Sequence, residues 1–164
     1  MSIAICPGSF DPITLGHLNI IRRSSKIFDK VIVCIMYNST KTSPMFSVEE
    51  RVEMARKATS RYPNVSVDSS SGLLAEYAKK YEGAVIVKGL RAASDFEYEF
   101  QMNLINKKIN PQLETMFLTS DVKYTFLSSS VVREMARYGA DLTGFVPDEI
   151  KEEIEEKAKQ WRAK

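Results

Sequence analysis

IAICPGSFDPITLGH, residues 3–17, contains the first passage from strand to helix in the chain. The run Ile3 to Cys6 is short and apolar, and Pro7-Gly8 ends it. From Leu18 to Phe28, apolar residues recur at helical spacing with basic residues between them. A short apolar run followed by a period of about 3.6 residues predicts a strand, a loop and an amphipathic helix.

Short apolar runs and helical stretches alternate over the rest of the sequence. The predicted strands are residues 3–6, 31–37, 65–67, 84–87 and 116–118. The predicted helices begin after Thr14, at the capping box of Ser47 and Glu50, after Gly72, at Asp95, at Ser128 to Ser130 and at Pro147. This alternation predicts an α/β fold: a five-stranded, parallel, doubly wound (Rossmann-like) sheet flanked by helices, with a C-terminal helix. With 164 residues and no linker, we expect a single domain over residues 1–164.

The composition is that of an ordinary globular protein without a dedicated nucleic-acid surface. Hydrophobic residues make up 44% and charged residues 27% of the chain, and the formal net charge is +2. A charge this small argues against nucleic acid as a partner. Cys6 and Cys34 lie in apolar runs without zinc-ligand spacing, so we expect them to be reduced. Because the sequence has neither a membrane-spanning stretch nor a signal segment, we expect no membrane association and a cytoplasmic location.

The loops that leave the carboxyl ends of parallel strands form the ligand-binding edge of such a sheet. The first loop lacks the G-x-G-x-x-G pattern of a dinucleotide fold. It instead predicts a helix start that is capped by Thr14 and has no side chain at Gly16 in its first turn. The unpaired backbone N–H groups of such a helix start are available to an anion. His17, the only histidine, lies in this first turn. The positive helix end disfavours an imidazolium and a bound polyphosphate favours it, so the protonation state stays open.

Four segments carry a family resemblance. Thr14 to His17 is similar to the (H/T)-x-G-H element of the nucleotidyltransferase superfamily. The segments KTSPMFSVEER (41–51), KGLRAASDFEYE (88–99) and YTFLSSSVVR (124–133) resemble the phosphopantetheine adenylyltransferase family in order and spacing. The resemblance spans nearly the whole chain.

The resemblance implies transfer of the adenylyl group of ATP to 4′-phosphopantetheine, with Mg²⁺, to give dephospho-CoA and pyrophosphate. It also implies a homohexamer and feedback inhibition by CoA. The positions that match ATP-contacting residues are Ser9, Phe10, His17, Gly89, Leu90, Arg91, Glu99, Tyr124, Thr125, Phe126, Leu127, Ser128, Ser129 and Ser130. The positions that match phosphopantetheine-contacting residues are Ser9, Lys41, Leu74 and Lys88.

The chemistry of such a transfer is consistent with the residues present. A phosphate monoester has a second pKa of about 6, so at neutral pH it is already a nucleophile and needs no general base. Two unit charges 4 Å apart interact by about 4 kcal/mol at an effective dielectric near 20, so cations must offset the repulsion between the two phosphorylated substrates. We expect His17, Lys41 and Arg91 to be catalytic, with Lys88 as a further cation. Mg²⁺ would arrive on ATP oxygens and water, because no carboxylates are spaced as a cage.

Several of these positions also have structural explanations. Lys41 could be a solvated lysine, Arg91 could pair with Asp95 or Glu97, Ser128 to Ser130 could supply only a helix cap, Glu99 could be a surface acid, and Leu74 could be core. The chain departs from the common family pattern at Lys88, where Arg is usual, at Ser9, where Thr is frequent, and at Tyr124, where Trp also occurs. We expect these differences to change affinity rather than abolish activity.

Two other functions remain open on the sequence alone. One is another small-molecule nucleotidyltransferase, and the other is a non-catalytic sensor of nucleotides or CoA. The helix after Asp95 and the apolar residues near Phe117 are candidate surfaces for oligomerisation.

Overall fold

The computed structural model describes residues 1–37 and 43–162, which form a parallel five-stranded sheet with helices on both faces. The strands are Ile3–Gly8 (β1), Lys30–Met36 (β2), Val65–Ser70 (β3), Val85–Leu90 (β4) and Glu114–Thr119 (β5). The helices are Leu15–Ser25 (α1), Val48–Thr59 (α2), Leu74–Ala78 (α3), Ala93–Ile109 (α4), Ser129–Arg137 (α5) and Asp148–Arg162 (α6). A single 3-10 turn, Val122–Tyr124, precedes α5.

The strand order is β3-β2-β1-β4-β5, so the chain winds outward from β1 in two directions. All neighbouring strands are parallel. This confirms the predicted α/β fold with a five-stranded, doubly wound sheet and a C-terminal helix. It also gathers the loops after β1, β2, β4 and β5 at one edge of the sheet.

The core has two halves because successive strand residues point to opposite faces. On β1, Ala4 and Cys6 pack into the half covered by α1, α2, α5 and α6. Ile3 and Ile5 pack into the other half, beside α3 and the end of α4. Cys6 and Cys34 are both buried and free, as the sequence predicted.

Helix caps place the loops at the binding edge. Thr14 and Ser47 each accept a hydrogen bond from the backbone of the third helical residue, which completes two capping boxes. Ser128 caps α5 by accepting from the backbone N–H of Val131 at 3.2 Å. The prediction that α4 opens at Asp95 is wrong by two residues: α4 begins at Ala93, and Asp95 turns back to accept from the backbone N–H of Arg91. Within the described ranges, no helix combines the length and apolarity needed to cross a bilayer.

The capping box of α2 gives a stability prediction. The Ser47 hydroxyl accepts from the Glu50 N–H at 3.1 Å, and the Glu50 carboxylate accepts from the Ser47 N–H at 2.7 Å. Replacing Ser47 with Ala should lower the free energy of unfolding by about 1 kcal/mol, measured by urea denaturation. Ser94→Ala, at an exposed position in the first turn of α4, is the matched control and should change it little. An equal loss in both variants would contradict the capping role.

Candidate active site

Three cavities lie at or beside the carboxyl edge of the sheet. The central cleft, about 280 Å³, is lined by Cys6, Pro7, Gly8, Phe10, Thr14, Gly16, His17, Ile20, Ile21, Val87, Lys88, Gly89, Arg91, Asp95, Glu99, Ser120, Tyr124, Leu127 and Ser128. The lateral cleft, about 610 Å³, is lined by Ser9, Asp11, Met36, Tyr37, Ser43, Pro44, Arg51, Ser71, Gly72, Leu73 and Arg133. The interhelix groove between α3 and α4, about 240 Å³, includes Leu74, Lys88, Glu99, Met102, Asn103 and Thr115.

The turn from Gly8 to Thr14 separates the central cleft from the lateral cleft. Phe10 has a positive φ of 48°, an uncommon conformation for a residue other than glycine. Its ring is buried and meets the His17 ring edge-on, with the centroids 5.0 Å apart. The turn therefore fixes the wall against which the histidine packs.

Residue His17 is neutral in this structure. The backbone N–H of Thr14 donates to His17 Nδ1 at 3.0 Å, so Nδ1 must be an acceptor and the ring proton lies on Nε2. Burial of the ring, together with the nearby positive charge of Arg91, lowers the pKa of His17 to about 4. The sequence left the protonation state open. The structure gives a neutral ring whose Nε2–H is a hydrogen-bond donor in the central cleft.

The start of α1 offers fewer free N–H groups than the sequence suggested. The Leu15 N–H donates to the Phe145 carbonyl at 2.9 Å, and the His17 N–H donates to the Thr14 hydroxyl at 3.4 Å. In the described part of the chain, only the N–H of Gly16 in this turn has no acceptor. A Cβ at Gly16 would lie 3.4 Å from Thr14 Oγ1 and 3.7 Å from the Tyr124 Cβ, so glycine keeps this wall open.

Both cations that the structure places in the central cleft are paired with carboxylates of α4. Lys88 Nζ lies 3.1 Å from Glu99, and Arg91 Nε lies 3.1 Å from Asp95. The Arg91 guanidinium also donates to the Leu127 carbonyl at 3.1 Å. The Arg91–Asp95 ion pair, one of the two structural alternatives, is thus present, but it lies inside the cleft. A Cβ at Gly89, between the two cations, would come within 2.8 Å of Ile20, so this strand can approach α1 only without a side chain.

The structure brings together part of the predicted ATP-binding set. Its members that line the central cleft are Phe10, His17, Gly89, Arg91, Glu99, Tyr124, Leu127 and Ser128. The other members, Ser9, Leu90, Thr125, Phe126, Ser129 and Ser130, do not line it. Phe126 is exposed and meets Phe145 edge-on, and the Ser129 hydroxyl donates to the Pro12 carbonyl at 2.7 Å. Binding of ATP by any of these residues stays a prediction.

The predicted phosphopantetheine-binding set is spread over all three cavities. Ser9 is exposed and lines the lateral cleft, Leu74 lines the interhelix groove, and Lys88 lines both the groove and the central cleft. Leu74 also packs partly against the core, which agrees with the alternative explanation that it is a core residue. Lys41 lies outside the described residues, so its predicted role stays a prediction.

Two arginines that end family-like segments of the sequence, Arg51 and Arg133, were given no site role by the sequence analysis. Arg51 is 5% exposed and Arg133 is partly buried, and both line the lateral cleft and bond to the turn after β1. A signal for Arg51 was present, since it lies on the same face of α2 as the apolar residues Met54, Ala55 and Ala58. A charged residue on a core-facing helical stripe indicates a buried polar contact.

Comparisons with known proteins give a consistent result. A family model described as Cytidylyltransferase-like matches residues 5–135. The phosphopantetheine adenylyltransferase of Caldanaerobacter subterraneus subsp. tengcongensis is 53% identical over 160 residues, which cover 98% of this chain and 99% of that protein. That of Dictyoglomus turgidum is 54% identical over 156 residues, which cover 95% and 97%. A solved structure from Vibrio parahaemolyticus, provisionally assigned as a nicotinate-nucleotide adenylyltransferase, shares the fold with a TM-score of 0.68 at 18% identity, covering 99% of this chain and 96% of its own.

The environment of His17 predicts an unusual titration. The ring should titrate with a midpoint near pH 4 and carry its proton on Nε2 above that pH, as seen by long-range ¹H–¹⁵N correlation NMR. The ordinary pKa of a histidine is about 6.5, so between pH 6.5 and pH 4 the unfolded chain binds more protons at this site than the folded chain. The free energy of unfolding therefore decreases as the pH falls through this range. The chain has one histidine, so the signal is unambiguous, and the urea-unfolded chain is the control. A folded-state midpoint near 6.5 would contradict the burial of the ring.

Proposed function

This chain belongs to the phosphopantetheine adenylyltransferase family of cytidylyltransferase-like proteins, and we propose that its central cleft is where the adenylyl group of ATP is transferred to 4′-phosphopantetheine. The products are dephospho-CoA and pyrophosphate. The observation that supports the placement is the neutral His17, whose proton is on Nε2 and which lines the same cleft as Lys88 and Arg91. The alternatives of a different nucleotidyltransferase and of a sensor are not favoured, because both full-length relatives bear the same enzyme name.

His17 acts as a hydrogen-bond donor in this proposal. Its Nδ1 already accepts from the Thr14 N–H and its Nε2 holds a proton, so neither nitrogen is free to act as a base. No base is needed, because the phosphate monoester of the acceptor is largely a dianion at neutral pH. The Nε2–H donates to the α-phosphate of ATP as negative charge develops there during in-line attack.

Lys88 and Arg91 supply the positive charge. Their charges are offset by Glu99 and Asp95, so a triphosphate must share or displace these ion pairs when it binds. We assign Arg91 to the β- and γ-phosphates and to the pyrophosphate that leaves, and Lys88 to the phosphate of the acceptor. Lys41 is proposed as a third cation from the family pattern.

The start of α5 is proposed to hold the terminal phosphates. Ser128 lines the central cleft, and in the described part of the chain the backbone N–H groups of Ser129 and Ser130 have no acceptor. Free N–H groups at a helix start attract anions. We assign Tyr124, which lines the central cleft before this helix, to a contact with the nucleotide.

The interhelix groove is proposed to hold the pantetheine arm. Leu74 and Met102 give it an apolar lining, and it joins the central cleft at Lys88 and Glu99. Asn103 and Thr115 line it, and in the described part of the chain the buried Asn103 Oδ1 and Thr115 Oγ1 have no hydrogen-bond partner. Unpaired buried polar atoms are costly, and the amide groups of a pantetheine arm could satisfy them.

We propose that Mg²⁺ enters as part of the ATP substrate, bound to phosphate oxygens and water. Within residues 1–37 and 43–162, no group of three or more side chains is arranged to hold a metal ion. We also place the enzyme in the cytoplasm, where ATP is available. Feedback binding of CoA at the active site, which the family resemblance implies, remains part of the proposal.

Self-association is proposed to use α4 and β5. α4 has no buried residue, and its large side chains Phe96, Tyr98, Phe100, Leu104 and Ile105 are between 45% and 62% exposed. Met116 on the neighbouring edge strand is 42% exposed. Contiguous apolar surface of this kind marks an interaction site, and we propose that copies of this chain cover it in a homohexamer.

The reverse reaction tests the proposed function. Dephospho-CoA, pyrophosphate and Mg²⁺ mixed with the wild-type chain should give ATP, and folded protein that forms none would eliminate the assignment. In the forward direction, His17→Ala should lower kcat by about 10²- to 10³-fold, because one transition-state donor is lost, with the KM for ATP nearly unchanged. Arg22→Ala, on the exposed face of α1, is the control. An unchanged kcat in His17→Ala would remove the histidine from the mechanism.

The α4 surface predicts an oligomer that a single charge disrupts. Phe100→Asp should shift the molecular mass measured by light scattering after size-exclusion chromatography toward that of smaller species, because a carboxylate cannot be buried unpaired in an apolar contact. Ile27→Asp places the same charge at an apolar residue that is 57% exposed outside this surface, and should leave the mass unchanged. If both variants keep the wild-type mass, the interface lies elsewhere.

A further inference from the structure

The lateral cleft lies across the turn after β1 from the central cleft. In the described part of the chain the two share no lining residue. At about 610 Å³, the lateral cleft is larger than both the central cleft and the interhelix groove. The catalytic proposal above leaves most of its lining without a role.

Arg51 is a buried positive charge in the wall of this cleft. Its residue exposure is only 5%, although a guanidinium stays protonated in proteins. Its Nη1 donates to the Ser9 carbonyl at 2.9 Å and its Nε donates to the Ser47 carbonyl at 3.3 Å. Both acceptors are neutral, so the charge itself is not compensated by them.

Acidic side chains do not compensate Arg51 either. Within the described ranges, no carboxylate lies within 4.0 Å of its guanidinium. The neighbouring Glu50 is turned away and accepts from the Ser47 N–H and from Lys157 Nζ at 3.0 Å. The residues outside the description at 38–42 read NSTKT and contain no acid. A charge buried without a counter-ion is costly, so the cleft that Arg51 lines is a candidate anion site.

A second guanidinium lines the same cleft. Arg133 Nη1 donates to the Asp11 carbonyl at 2.7 Å, and Nη2 donates to the Ser130 hydroxyl at 3.2 Å. The Asp11 carboxylate lies 3.9 Å from Nη1, but its two oxygens already accept from the backbone N–H groups of Met45 and Phe46. The cleft therefore has two guanidinium groups and one carboxylate whose oxygens are otherwise engaged.

We infer that the lateral cleft is a second anion site, in which Arg51 and Arg133 bind a phosphate monoester. Guanidinium groups match the oxygens of a phosphate in geometry and charge, and the hydroxyls of Ser9, Tyr37 and Ser71 line the same wall. The choice of ligand rests on the proposed function. The monoester of the acceptor is assigned above to Lys88 in the central cleft, so the ligand of the lateral cleft is CoA, which differs from the product dephospho-CoA by one phosphate monoester.

Two ligand pairs separate this role from a purely structural one. Phosphopantetheine and pantetheine differ by one monoester, as do CoA and dephospho-CoA. If the arginines only hold the turn after β1, their loss weakens both members of a pair equally. If they bind the additional monoester of CoA, their loss reduces the difference between CoA and dephospho-CoA and leaves the difference between phosphopantetheine and pantetheine unchanged.

The experiment measures the four dissociation constants by isothermal titration calorimetry for the wild type, Arg133→Gln and the control Arg137→Gln. Arg137 lies one turn further along α5, is exposed and packs over the Trp161 ring at 5.6 Å. We expect the wild type to bind CoA about tenfold or more tightly than dephospho-CoA, as for a charge-assisted contact. Arg133→Gln should lose most of that preference and Arg137→Gln should keep it.

Each outcome is decisive. Loss of the CoA preference with the phosphopantetheine preference kept supports the site, and loss of the phosphopantetheine preference alone overturns it. A CoA preference that Arg133→Gln leaves at wild-type size overturns the inference, as does a wild type without that preference. Should that variant not fold, the Nε–H resonance of Arg51 in the wild type must shift with CoA and not with dephospho-CoA, and no such shift also overturns it. If the wild type forms no ATP in the reverse reaction, the proposed function is wrong, but the differences between the dissociation constants can still be measured.

Discussion

Hydrogen bonds from other parts of the chain hold the turn from Gly8 to Thr14, and the shape of both clefts depends on them. The buried Asp11 carboxylate accepts from two backbone N–H groups just before α2, while Arg51, Arg133 and Ser129 donate to carbonyls of the turn or its flank. Burying these polar and charged groups is unfavourable unless each is bonded. Moving the turn would leave several of them unpaired at once, so the position of the histidine that follows it is well defined.

One helix cap links the fold to the chemistry. Thr14 caps α1 with its hydroxyl and donates its backbone N–H to His17 Nδ1. This second hydrogen bond selects the ring tautomer that is protonated on Nε2. The buried ring and the charge of Arg91 then keep it neutral. A bond that stabilises a helix start therefore also places a proton on the nitrogen that faces the cleft. Fold stability and the proposed donor role depend on the same two residues.

Helix α4 connects the site with the surface. Asp95 and Glu99, one turn apart, hold the two cations of the central cleft. Phe96 and Phe100 stack on each other with their centroids 5.7 Å apart and remain nearly half exposed. Because α4 buries none of its residues fully within one chain, a partner copy that covered it would add to its packing. The proposed assembly would therefore support the helix that positions the cleft carboxylates.

The sequence by itself determined the elements and the caps, because these depend on neighbours within one or two helical turns. The strands and the loops of the binding edge followed from periodicity, and the box at Ser47 followed from its spacing to Glu50. Only the tertiary structure decided that His17 is neutral, that Lys88 meets Glu99, and that Arg51 is buried against the turn after β1. Hydration, local charge and contacts between distant loops set these properties, and they exist only once the chain has packed.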